Sequence, residues 1–227
     1  MKIHFDLLQI KSAERLAAVK ALLRLLEEAV REYQERERTA LRELAAEQNL
    51  DFDEYDTERQ ILDNRFRYWL PRFAAYSVLA LLYSVLEVQL HACARRAQQR
   101  LESPFGPEDI KGRGIEAVAA YLTKSDVSDV KHDEAWSTLI DLRDLRNLIA
   151  HRAGTSSKKH EKVVNRLLRT YEGDLEAEKT PRGWRNEVWV SLGLCRRFTS
   201  EVEAFLGRIV SAVNAIPAAT NGESPKR

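Results

Sequence analysis

"FAAYSVLALLYSVL", residues 73–86, runs fourteen residues without a charge. A helix that crosses a bilayer needs about 18 to 20 predominantly apolar residues. Here Arg72 and Glu87 bracket the run on either side. The stretch therefore predicts a buried core helix and not a membrane span. Working outward from it, the helix is expected to begin at about 58 or 71, to end near 101, and to kink at Pro71, which has no N–H to donate.

The rest of the chain reads the same way. Only 9 Gly and 6 Pro occur in 227 residues, strand-like alternation is scarce, and apolar residues recur at helical spacing. The fold class expected is all-α. A long first helix spans about 5–47, with Leu16, Val19, Leu22, Leu23, Leu26, Val30 and Tyr33 on one stripe. "DFDEYDTERQ" (51–60) lacks the glycine and terminal glutamate of a calcium loop and is read as a solvated acidic linker. "ESPFGPED" is a loop, and "GIEAVAAYLTKS" (114–125) a short amphipathic helix. Helices follow over 133–154, about 157–171 and 194–215. "EVWVS" (187–191), after "TPRGW", is the one strand-like run and predicts at most a small β-hairpin near 184–191. The expected organisation is an N-terminal helical extension over 1–50, a helical domain over 51–215 and a disordered tail over 216–227.

Composition narrows the function. At a net charge of +1 there is no whole-molecule basic field, so a nucleic-acid site has to be a local patch. Cys93 and Cys195 are far apart with no Cys-x-x-Cys spacing, which argues for a reducing compartment and against structural zinc. "MKIHFDLLQIKSAERL" lacks the layout of a signal peptide, and a cytoplasmic protein with no membrane association is expected.

The candidate chemistry lies in the 133–154 helix, which ends "RDLRNLIAHRAG". At about 100° per residue, Leu142, Leu145, Leu148 and Ile149 share one face, and Arg143, Asn147 and His151 the opposite one. Arg146 and His151 lie roughly 140° apart around the axis and flank Asn147. Earlier in the helix, Trp136, Leu139 and Ile140 fall on the side of the polar cluster. That side needs a cover. Another helix or a two-fold copy of this one would supply it, and the three residues are the expected dimer interface.

RNA carries its own nucleophile, the 2′-hydroxyl. A histidine can remove or return that proton, and an arginine can stabilise charge building on the phosphate, with no metal or cofactor. From Arg143 to Arg169 there are eight Lys/Arg against Asp144 and Glu161, a basic strip within which Arg152, Lys158, Lys159 and Lys162 are the expected RNA contacts. The competing reading is that basic residues merely face the negative end of the helix dipole before Gly154 stops it.

"RNLIAH" matches the Arg-x4-6-His signature of HEPN-domain proteins. "YSVLEVQLHACAR" (83–95), with an acid at Glu87, resembles the family's other long helix, and "GIEAVAAYL" the short helix between the two. The resemblance covers about 70–155 well and 155–215 loosely. It implies a HEPN-like bundle that forms a homodimer with the two motifs facing each other, and a metal-independent endoribonuclease of toxin–antitoxin, abortive-infection or other defence systems. Arg146 would then bind and polarise the phosphate, Asn147 orient it and His151 act as acid or base, with Arg143 and Glu87 supporting. An antitoxin or other defence-system partner is implied. Family toxins silenced by AMP transfer carry a tyrosine two residues after the histidine; here that position is Ala153, which speaks against that kind of antitoxin.

Glu87 and His91, four apart, form either a second wall of the cleft or a polar stripe inside the bundle. Trp69, Trp136, Trp184 and Trp189 offer faces on which bases could stack, but core packing is the expected place for them. Two alternatives to the nuclease stay open: a non-catalytic HEPN-like dimer serving as an accessory module, and a scaffold whose first helix binds a partner helix.

Overall fold

The computed structural model describes residues 7–179 and 186–217. The expected tail beyond 217 and Trp184 lie outside these residues. The protein is all-α, with seven α-helices and one three-stranded sheet among the described residues: α1 (Leu7–Gln48), α2 (Phe52–Asn64), α3 (Leu70–Arg100), α4 (Gly114–Lys124), α5 (Trp136–Arg152), β1 (Thr155–Ser156), α6 (Glu161–Thr170), β2 (Leu175–Lys179), β3 (Asn186–Val190) and α7 (Leu192–Ala215). The chain divides into two compact units, one of residues 17–82 and 141–199, the other of 1–16, 83–140 and 200–227. The division does not fall at residue 50. Leu16, Val19 and Leu23 of α1 are buried to 2% exposure or less, so α1 contributes to the core.

In the 17–82/141–199 unit, the first half of α3 buries Ala75, Val78, Leu79 and Leu82, each 0% exposed. Each such leucine or valine contributes about 1.5–3 kcal/mol on leaving water. Phe52–Arg100 is long and apolar enough by length and composition to cross a membrane, and half of its most apolar window is buried inside the chain. The acidic stretch is not a linker. Asp51 caps α2 by accepting from the Glu54 N–H at 2.9 Å while Glu54 reaches back to the Asp51 N–H at 3.2 Å, a reciprocal capping box. At Pro71, where a kink is expected, the helix carries a widened turn. Residues 65–69 form one wide turn in which the Leu70 N–H bonds to the Arg65 carbonyl five residues back. Widening the turn just before a proline makes room for the ring, so helix continues on both sides. Arg38 pairs with Asp63 at 2.6 Å, and Tyr33 meets Phe66 edge-on at 5.2 Å, fastening α2 and the wide turn to α1.

The sheet, order β1-β3-β2, is antiparallel throughout and larger than the hairpin expected. Leu175 opposite Val190 and Ala177 opposite Val188 lie on one face, where Leu175, Val188 and Val190 are buried. Glu176 opposite Trp189 and Glu178 opposite Glu187 lie on the other. In the second unit, Leu86, Leu90, Val118, Leu122 and Phe205 are fully buried. Arg208 holds Asp133 with two bonds of 2.6 and 2.7 Å, and the Arg100 Nη1 gathers the carbonyls of Val213, Asn214 and Ile216 at the end of α7.

Candidate functional site

The polar face of α5 forms as its spacing requires. Leu142 and Leu145 are fully buried and Leu148 nearly so, while Arg143, Arg146 and Asn147 are half-buried and His151 is exposed. The Arg146 Nη1 donates to the Asn147 Oδ1 at 3.1 Å, which joins two of the three expected catalytic residues side by side. The His151 imidazole makes no hydrogen bond or ion pair to a described residue and is open to solvent. Arg152, Lys158, Lys159 and Lys162 are all exposed.

The helix stop is supplied by other residues. Ala153 and Gly154 take φ of +49° and +82°, and their N–H groups bond back to the carbonyls of Ile149 (2.9 Å) and Leu148 (3.3 Å). The Gly154 carbonyl receives the Val188 N–H at 3.0 Å. The buried Arg72, 4% exposed, donates to the Ala153 carbonyl at 3.3 Å, to the Tyr76 hydroxyl at 2.8 Å and to Glu187 at 3.0 Å. Burial raises the Tyr76 phenol above its ordinary range, so it stays protonated and donates to the Val188 carbonyl. Ending α5 therefore does not require the polar cluster.

Arg143 is committed elsewhere. Its guanidinium donates to Asp144 at 2.7 and 3.1 Å, and Arg166 reaches both Asp144 (2.9 Å) and Asp141 (2.7 Å). Tyr171 adds a 3.0 Å bond to Asp141, whose carboxyl burial pushes up against the pull of Tyr171 and Arg166. Asp141, Tyr171 and Arg166 were not singled out in the sequence. The signal was there: one acid inside the apolar "TLIDL" has to find a buried donor.

Leu139 corrects the expected dimer interface. It is 0% exposed, a core residue of its own chain. It precedes Leu142 by three residues, about 60° around the axis, so it joins the leucine face. Trp136 and Ile140 keep part of their surface. Glu87 belongs to the unit that lacks residues 141–199. Its carboxylate lies where a Cβ on Gly114 would come within 3.2 Å of it, at the first turn of α4, a place where a helix dipole favours negative charge. With His91 it lines a groove of about 820 Å³ whose basic residues are Lys11, Arg95 and Arg96. Trp69 is not in the core; it is 44% exposed.

No protein-family model, curated protein or solved structure matches the chain.

Proposed function

We propose that the protein is a metal-independent HEPN-type endoribonuclease, a bacterial toxin or anti-phage defence effector that cuts RNA through 2′-hydroxyl attack and works as a homodimer in the cytoplasm. The observation that carries the reading is Arg146 bonded to Asn147 on the same two turns as an exposed His151, on a helix whose stop is built from other residues. His151 takes and returns the proton, Arg146 stabilises the phosphate charge, and Asn147 fixes the guanidinium. Arg152, Lys158, Lys159 and Lys162 hold the backbone of the strand. Arg143 acts at one remove, through Asp144, and Trp136 and Ile140 remain on offer to the second copy.

The test is cleavage of mixed transfer, messenger and ribosomal RNA by the purified protein in excess chelator. The wild type is expected to cut. His151→Ala and Arg146→Ala are each expected to lower the rate about a hundredfold or more, with the far-UV spectrum unchanged. No cutting by the wild type, or equal cutting by the variants, refutes the nuclease. The competing reading, a non-catalytic HEPN-like dimer acting as an accessory module, draws on one observation: Arg143 and Arg166 of the basic strip are bound to Asp144 and not held open for RNA. That reading expects a dimer by sedimentation, unaffected by His151→Ala, and no cleavage.

A further inference from the structure

We propose that the 17–82/141–199 unit carries a second site, independent of the ribonuclease reading: a pocket for an organic cation, a guanidinium or alkylammonium group. The pocket has a volume of about 560 Å³ and lies where the 64–69 segment faces the β2–β3 hairpin. Its lining includes three aromatic residues, Tyr68, Trp69 and Trp189, and three carboxylates, Glu176, Glu178 and Glu187, and among the described residues no Lys, Arg or His.

The rings are arranged as walls. Tyr68 stands at 79° to Trp189 with centroids 5.2 Å apart, and Trp69 at 51° with centroids 5.8 Å apart. A cation within about 6 Å of a ring centroid, over its face, is attracted by the ring quadrupole. Two cations already use these rings, neither lining this pocket: the Arg67 guanidinium lies 5.3 Å from the Tyr68 centroid, and that of Arg72 4.6 Å from the Trp189 centroid and 5.5 Å from that of Trp69.

The strand register supplies the second argument. Glu178 is directly opposite Glu187, and like charges in that position destabilise a sheet. Arg72 answers Glu187 at 3.0 Å. Glu176 and Glu178 are exposed and have no ion-pair partner among the described residues. Two carboxylates are thus left beside three rings in a protein whose net charge is +1. A phosphate is repelled from such a place, so the pocket is no part of an RNA-backbone track. A cation relieves the Glu178/Glu187 repulsion and gains the ring faces together.

The experiment is calorimetric titration of the full chain at fixed ionic strength with N-acetyl-arginine amide, its uncharged isostere N-acetyl-citrulline amide, tetramethylammonium, and the capped peptide Gly-Gly-Arg-Gly-Gly. Saturable one-to-one binding is expected for arginine amide or tetramethylammonium and not for citrulline amide. Trp69→Ala and the double variant Glu176→Gln/Glu178→Gln are each expected to weaken it at least about fivefold. Both alter exposed side chains, and circular dichroism checks that they fold. A peptide that binds more tightly than arginine amide identifies the source as a partner's side chain, and equal affinity identifies a free small cation. Equal heats for the arginine and citrulline amides with none from tetramethylammonium, or binding that survives both variants, overturns the site.

Discussion

Replacing Gly154 by alanine tests the junction that ends α5. A Cβ at Gly154 would lie 1.9 Å from the Tyr76 hydroxyl oxygen and 2.7 Å from its Cζ, and the residue holds φ at +82°. The conformation alone costs an L-residue about 1–2 kcal/mol. The phenol is 6% exposed and is held by Arg72 and by the Val188 carbonyl, so it yields only by giving up hydrogen bonds. One neutral and one charge-assisted bond are together worth about 2–4 kcal/mol net. With partial relaxation, Gly154→Ala is expected to cost about 3–4 kcal/mol. Gly173 is the matched control. Its φ is +83°, and a Cβ there meets nothing within 4 Å, so Gly173→Ala carries the conformational cost alone. The assay is urea unfolding followed at 222 nm for the wild type and both variants, with the slope of each transition checked for constancy. A Gly154→Ala penalty no larger than that of Gly173→Ala refutes the claim that Tyr76 is rigidly held against this turn.

Asp133 gives a pH-dependent prediction. Its two bonds from Arg208 hold its carboxyl below the usual carboxylate range, with the Ala135 N–H adding to the effect. The native state therefore takes up this proton less readily than the unfolded chain. The stabilisation is complete above about pH 4, the unfolded carboxylate value, and is lost as pH falls through the lower folded value. Asp133→Asn is expected to cost about 1 kcal/mol at neutral pH, since Arg208 is partly solvent-screened, and the gap from wild type is expected to close in acid. A gap that stays constant from pH 7 to pH 3 refutes it. For Cys195, burial pushes the thiol up to about 12, and Cys93 is likewise fully buried. Native protein at pH 8 should resist iodoacetamide while urea-unfolded protein takes two labels by mass spectrometry; rapid labelling of the native chain contradicts the burial.

The helices were legible because a 3-4 apolar repeat leaves few other ways to bury leucine, and the 73–86 run behaves as that repeat predicts. What the sequence concealed falls into two kinds. Some signals were local and passed over. Asp51 and Glu54 have capping-box spacing, and the surrounding acids made a helix start look like a linker. Leu139 sits on the border between two faces, where 60° decides between core and surface. The other kind is not local at all. Arg72 finds its acceptors 81 and 115 residues away, on Ala153 and Glu187, and nothing in "LPRFAAY" announces them. β2, "LEAEK", alternates as a strand does, yet nothing in it announces that β3 sets Trp189 and Glu187 opposite its charged face. In the candidate site the α5 face was readable from spacing alone, whereas the Asp141–Tyr171–Arg166 network depends on α6 folding back to it.

The division of the chain also bears on synthesis. Neither compact unit is one continuous piece of sequence: one needs residues 17–82 together with 141–199, the other 1–16 with 83–140 and 200–227. The Cys195 thiol donates to the Ala75 carbonyl across 120 residues of chain. At ribosomal speeds of about 5–20 residues per second, roughly 6 to 24 s pass between the emergence of the two partners. During that interval the most apolar helix of the protein is already made, and α7 is not there to cover it. The nascent chain should therefore depend on chaperones that shelter exposed apolar helices, and truncations ending before residue 199 should aggregate and not yield a smaller folded unit.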